Sequence, residues 1–520
     1  MTSDRRLVLF AVLVIALSLL FVRANYSAAF PQASIDLKYS RDEITRRAEA
    51  FLLARGLHPD RFRNLTLFDD DSDARLYLER ELGLPEANRL MADGAPVWRW
   101  RARWFQPPDK EELVVYLSPA ARLLGFEHTV REEDSGARLS KDAARALAEV
   151  FLREQTRAPQ RLVEERLQER PNRFDYVFTW EQEGFRAKDA TCRRTLVVQG
   201  GEIGSYREYL HVPEEWQRGF QALRSKNSLY ATIAESLYLP LGLAALAAVF
   251  LALRRGNLAW KPLVLIAGAV GAFMILNEIN GLPFFVDRMP TSSPLPQSVL
   301  IGILQALGAG VGVFFYVILA AGAGEPLYRA DFPRRLALRA AFTWQGIRTR
   351  EFFRATVCGY AFAAFHIAFV CAFYVYGQRF GVWSPQDVAY SDLLSTALPW
   401  IYPLTISLLA ASSEEFWFRL FAIPLLRRAL PTWLAVVIPA FVWGFLHANY
   451  PQQPGYIRGI EVGVIGVAAG LLMLRFGILA TLIWHYTVDA VLIGSFLFQS
   501  QSLYYKASGA LDSVKKLPGF

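Results

Sequence analysis

The chain has 520 residues, 53% of them apolar and 20% charged, with a mean hydropathy of +0.21. That average is too apolar for an ordinary soluble protein and too polar for membrane spans alone; it excludes disorder, collagen and coiled coil, and three cysteines exclude a disulfide-stapled domain. The formal charge of +8 raises nucleic acid as a partner until the positions of the bases are read.

Residues 7–22 (LVLFAVLVIALSLLFV) carry no charge and follow Arg5 and Arg6. They read as an export segment kept as a signal anchor over residues 1–30, with the N-terminus cytoplasmic. Residues 31–227 contain no long apolar run and form an extracytoplasmic, water-soluble part. The chain then returns to lipid, with spans expected near 230–253, 259–280, 298–322, 353–376, 394–412, 431–449, 459–475 and 478–498. Accessory helices occupy 228–392, a core region 393–500 and a tail 501–520. The fold class is a polytopic all-α membrane protein of about eight or nine transmembrane helices, with an α+β domain between the first and second spans.

Loop charges test the orientation. Arg254, Arg255 and Lys261, the arginines of 325–354, Arg427 with Arg428, and Arg475 fall in alternate loops. The opposite loops, 282–297 and 377–393, hold one base each. This is the positive-inside pattern of a bacterial inner-membrane protein. The basic excess thus marks topology, and no basic stripe with interleaved aromatics points to nucleic acid.

The soluble part is duplicated in plan. A helix at 40–56 precedes strands at 96–104 and 112–119; a helix at 140–155 precedes strands at 173–182 and 193–210. Ser40 with Glu43 forms a capping box, and Trp98, Trp100, Ala102 and Trp104 alternate as a half-buried strand does. Two αββ repeats are expected. The plan resembles the PepSY-type module, which implies a binding or regulatory domain. His58, His128 and His211 are scattered and form no catalytic set.

Residues 394–500 contain four acids, Glu414, Glu415, Glu461 and Asp489, and two histidines, His447 and His485. A carboxylate in the bilayer costs roughly 2.5–3.5 kcal/mol even on the lenient scale, so such groups are functional candidates by default. Glu415 and Arg419 are four apart and share a helix face, so Arg419 can neutralise Glu415 while Glu414 points elsewhere. His485 and Asp489 also share a face, and Trp443 lies four residues before His447 and can wall its imidazole. Rises of about 21, 24 and 15 Å from the flanking basic loops allow Glu414, His447 and His485 to reach one level. Such a set can do acid–base chemistry on water, or hold a divalent metal such as zinc beside a free glutamate. Glu461 begins a span and is expected to reach the interface.

Glu414-Glu415-x-x-x-Arg419, Trp443-x-x-x-His447 and His485-x-x-x-Asp489, in order on three apolar segments, resemble the signature motifs of the CPBP family. These are CAAX-prenyl-protease and bacteriocin-processing intramembrane proteases. Trp443 stands where the family usually has Phe, and Asp489 where relatives have Asn or Asp. The resemblance implies an intramembrane endopeptidase with its catalytic core over 393–500. Glu414 would activate water, with Glu415 and Arg419 orienting it. His447, His485 and Asp489 would bind a divalent metal, zinc by preference, or stabilise the oxyanion in a metal-independent glutamate mechanism. The implied partners are membrane lipid and a protein or peptide substrate, such as a prenylated C-terminus or a leader peptide. The rival reading is a transporter, or a non-catalytic receptor or immunity protein, using the same cluster for ion or proton binding.

Overall fold

The computed structural model describes residues 3–29, 35–92, 94–385, 390–500 and 502–514. The chain opens with α1 (Ser3–Ala29). A sheet domain follows: α2 (Arg41–Ala54), β1 (Arg63–Asp70), α3 (Ser72–Leu82), α4 (Leu84–Ala92), β2 (Trp98–Phe105), β3 (Glu112–Leu117), β4 (Leu123–Thr129), α5 (Lys141–Gln155), β5 (Gln160–Arg170), β6 (Arg173–Gln182), β7 (Thr191–Gln199) and β8 (Glu202–His211). Then come α6 (Glu214–Ser236), α7 (Tyr238–Arg254), α8 (Trp260–Asn280), α9 (Leu282–Arg288), α10 (Leu295–Asp331), α11 (Leu338–Ala341), α12 (Trp344–Ile347) and α13 (Arg350–Gly377). The last part holds α14 (Tyr390–Leu394), α15 (Ile401–Glu414), α16 (Ile423–Leu426), α17 (Thr432–Leu446), α18 (Ile457–Phe476), α19 (Ile478–Gly494) and α20 (Leu503–Val514). The boundary expected at residue 30 and part of the tail expected over 501–520 lie outside the described residues.

The eight strands form one antiparallel sheet in the order β1-β2-β3-β4-β8-β7-β6-β5. Each half is a helix followed by four antiparallel strands, with α3 and α4 inserted between β1 and β2 of the first, and the halves meet along β4 and β8. The αββ repeat expected from the sequence is therefore short by two strands per copy. The missed strand β5 is exposed along most of its length and rich in charge, so no apolar alternation betrays it. The stretch read as one strand over 193–210 is β7 and β8, turned at Gly200, whose φ of 62° suits glycine. Ser40 and Glu43 close the capping box of α2, with Ser40 N–H donating to Glu43 Oε2 at 2.8 Å. Apolar residues of both helices pack on the sheet: Phe51 of α2 and Phe151 of α5 lie 5.4 and 5.8 Å from the ring of Phe126 on β4. At the seam, a Cβ on Gly125 would stand 2.7 Å from the Tyr206 carbonyl oxygen, so only glycine fits there.

The protein is an integral membrane protein. Eight helical stretches among the described residues are long and apolar enough to cross a bilayer: Asp4–Tyr26, Glu214–Arg254, Trp260–Asn280, Leu295–Asp331, Arg350–Phe380, Thr432–Asn449, Ile457–Phe476 and Ile478–Phe498. The span expected over 394–412 is displaced. The segment before it is held by the sheet domain, with Phe68 N–H donating to Ser395 Oγ at 2.7 Å and Ser391 Oγ–H donating to the Phe68 carbonyl. Helix α15 starts only at Ile401, and helical chain runs on to Leu426. These bonds also cover the free edge of β1.

Ion pairs sort the loops into two ends. Asp4 at the start of α1 binds Arg350 at 2.5 Å and Arg354 at 2.7 Å. Arg427 meets Asp331 at 3.3 Å at the end of α10. The sheet domain instead docks on residues near α9 and α14, through Arg101 and Asp287 at 2.6 Å and through β1. Half or more of the residues in the spans of α18 and α19 are buried, 50% and 56%, against 11% in α1. The inner helices are the ones that carry polar groups.

Candidate active site

Glu414 is the last residue of α15, and the chain then widens into a π-helix over Glu415–Ala422 before α16. A π-turn inserts one residue per hydrogen-bonded ring and is frequent at functional sites. Every residue of this turn is buried. The α17–α18 crossing is tight, because a Cβ on Gly444 would stand 2.8 Å from Gly463 Cα. That approach sets His447, at the end of α17, against the buried helices.

Glu415 is closed. Its Oε1 accepts from Arg419 Nη1 at 3.0 Å and from His485 Nδ1 at 2.8 Å. Glu415 is 0% and Arg419 1% exposed. The Arg419 guanidinium also lies 4.0 Å from the centre of the Trp443 ring. The indole face and the carboxylate each offset part of the cost of burying this cation, whose Nη2 has no hydrogen-bond partner.

Glu414 is open. Its Oε2 accepts the indole N–H of Trp443 and lies 3.8 Å from Nε2 of both His447 and His485. His447 Nδ1–H donates to the Trp443 carbonyl at 2.9 Å, which turns Nε2 inward. Asp489 Oδ2 lies 3.6 Å from His485 Nε2. The sequence-derived set Glu414, Glu415, Arg419, His447, His485 and Asp489 therefore meets at one place. Glu414, His447, His485 and Asp489 line a cavity of 620 Å³ together with Arg458 and Tyr450.

Several contributors escaped the sequence reading. Trp443 was expected to wall His447 and does, at 5.3 Å between ring centres, but its N–H also anchors Glu414. Tyr450 stacks on the far side of the site, 6.1 Å from the His447 ring and 17° from parallel. Glu461 does not reach the interface: it is 0% exposed. It accepts from Arg458 and from Tyr374 O–H, the latter at 3.4 Å. The three-residue spacing of Arg458 and Glu461 was the available signal. His366 lies 3.9 Å from Glu461, beyond hydrogen-bond range.

The donor types suit a divalent metal, and both imidazoles present Nε2 with Nδ1 engaged, as metal ligands do. Among the described residues, no group of three or more His, Cys, Asp and Glu side chains stands where it could hold a metal ion. Glu414 Oε2 also accepts the Trp443 N–H, a contact that fixes the orientation of its carboxylate.

Three apolar helices that close carboxylates and imidazoles on one cavity define a polytopic membrane protein with a buried acid–base centre. Residues 395–491 match the family model described as Type II CAAX prenyl endopeptidase Rce1-like, a model of the CPBP family. The chain is also similar to the sporulation-killing factor biosynthesis protein SkfC of Bacillus subtilis (strain 168), with 27% identity over 97 residues. That match covers 18% of this chain, and the chain spans about a fifth, 20%, of the relative's length. No solved structure matches the chain.

Proposed function

We propose that the protein is an intramembrane endopeptidase whose water is activated by Glu414. The observation that carries this reading is the contrast between neighbouring carboxylates: Glu415 is closed by Arg419 and His485, while Glu414 faces the cavity 3.8 Å from two imidazoles. Glu414 takes a proton from water, and the hydroxide adds to the scissile carbonyl carbon. His485, flanked by Glu415 and Asp489, is compensated as an imidazolium and donates Nε2–H to the oxyanion; His447 faces the same oxygen. As the C–N bond breaks, Glu414 returns its proton to the leaving amine. No step runs through a metal. The substrate class is a membrane-associated peptide or protein, with a prenylated C-terminus or a leader peptide as the forms the family suggests. The loop charges support a bacterial inner-membrane setting with the sheet domain outside.

The test uses full-length protein in liposomes and lipid-anchored peptides carrying a fluorophore and a quencher. Glu414→Gln and His447→Ala are expected to lower cleavage by at least ~10²–10⁴-fold while the protein stays folded. Full cleavage in both variants overturns the proposal, and ion or proton flux without cleavage favours the transport reading. Chelation of divalent ions is expected to leave the Glu414-dependent rate in place; loss restored by zinc overturns the metal-free sequence of steps.

A further inference from the structure

The segment after His447 has one short turn, His447–Asn449, and a single backbone bridge between Gln453 and Trp383, yet it carries Tyr450 against the His447 ring. What holds it comes from far away in the chain. Asn227, on α6 and 0% exposed, points its Nδ2 at four backbone carbonyls of this segment. The distances are 2.9 Å to Ala448, 2.9 Å to Tyr450, 3.0 Å to Gln452 and 3.3 Å to Gly455. Its Oδ1 accepts from Gln453 Nε2 at 2.6 Å. One amide thus binds the segment at five residues, and its two N–H groups are shared among four oxygens. Without a donor at their centre, these carbonyl dipoles would converge on one another in a buried place.

The helix that supplies Asn227 is tied to the sheet domain. Trp216, in the first turn of α6, donates Nε1–H to Glu81 at 3.0 Å and packs on Tyr77 with ring centres 5.1 Å apart. Eleven helical residues, about 16 Å, separate Trp216 from Asn227. Arg224 adds a bond to the Asn449 carbonyl at 2.6 Å, and Ser228 one to Asn449 Oδ1 at 3.1 Å.

We infer that Asn227 is a positioning residue for His447, through which α6 links the sheet domain to the reaction. It does not line the cavity that holds Glu414 and His447. It fixes the backbone on the C-terminal side of His447 and the Tyr450 ring stacked there, and so fixes the direction of His447 Nε2. This inference rests on the proposed peptidase activity for its kinetic consequence, but not for its structural one.

The experiment has two arms on the full-length protein. In liposomes with the quenched lipid-anchored peptides, Asn227→Ala is expected to lower kcat at least tenfold with KM within twofold. In the Glu414→Gln background, where cleavage plays no part, carbethoxylation of His447 by diethylpyrocarbonate is followed by mass spectrometry. Its rate is expected to change at least fivefold on adding Asn227→Ala. Gln453→Ala, which leaves the four carbonyls capped, is expected to move both readouts the same way by less, and serves if Asn227→Ala does not fold. Ser225→Ala, on the same helix but bonded back to the Ala222 carbonyl, is expected to move neither. Unchanged His447 reactivity, or a loss expressed in KM alone, overturns the inference. Altered His447 reactivity in a protein that cleaves nothing upholds the positioning role and sinks the peptidase reading.

Discussion

The sheet domain and the membrane core both bury arginine beside carboxylate, and they finish the job differently. In the sheet, Arg173 binds Asp175 at 2.9 Å and gives its other donors to the carbonyls of Arg131 and Asp134. Arg194 likewise meets Glu208 at 3.3 Å and bonds Gln160 and Gln182. Both clusters are closed, and they hold strands and loops together. In the membrane core, Arg419 and His485 both bond one oxygen of Glu415, whose Oε2 stays buried without a hydrogen-bond partner, and the neighbouring carboxylate, Glu414, faces a cavity. The same ion-pair chemistry is scaffold where every partner is matched and becomes a candidate for catalysis where one carboxylate stays open.

The comparison is broken most severely at the closed membrane pair. Glu415→Gln or Arg419→Ala leaves a buried charge without its partner, and a loss of about 3–5 kcal/mol is expected in thermal or denaturant unfolding. A loss no larger than that of a surface pair would show that Glu415 is not scaffold. In the sheet domain, burial raises the Glu79 carboxyl from 4.5 to about 7. The folded chain therefore keeps a proton that the unfolded chain releases. The stabilisation is full below about pH 4.5 and lost as pH rises through about 7, on the order of 3 kcal/mol. Unfolding of the sheet domain should show this fall with rising pH, and Glu79→Gln should flatten it.

Smaller effects sharpen the contrast. Trp443→Phe keeps the ring that covers Arg419 and removes the N–H that Glu414 accepts. Cleavage is expected to fall about 10–100-fold, roughly 1.4–2.7 kcal/mol in the barrier, with an almost unchanged unfolding midpoint. Equal losses in rate and stability would count against an orienting role. Arg145 and Glu149 meet at 2.8 Å on the open face of α5, and Arg145→Ala is expected to leave the midpoint of the same unfolding assay almost unchanged.

Much of this was legible in advance, for physical reasons. Long apolar runs announce membrane helices because lipid leaves few alternatives. Glu414, His447 and His485 stood out because charge in such runs is costly. The π-turn was not legible, since the spacing of Glu415 and Arg419 fits an α-helix as well and the wider ring depends on neighbours. Nor was Asn227: an asparagine near the end of a polar region carries no mark of partners 221 to 228 residues away. β5 was hidden because an edge strand with both faces wet has no reason to alternate.

That strand has a consequence for solubility. An open sheet offers two rows of unpaired backbone groups on which foreign strands can grow. Here the β1 row is sealed by Ser391 and Ser395 of the protein's own membrane half. The β5 row, at the far end of the sheet, interleaves Arg161, Glu164, Glu165, Arg166, Glu169 and Arg170. A stranger laid along it would have to match that sequence of signs. The sheet is thereby protected against fibrous growth at one end by docking and at the other by charge.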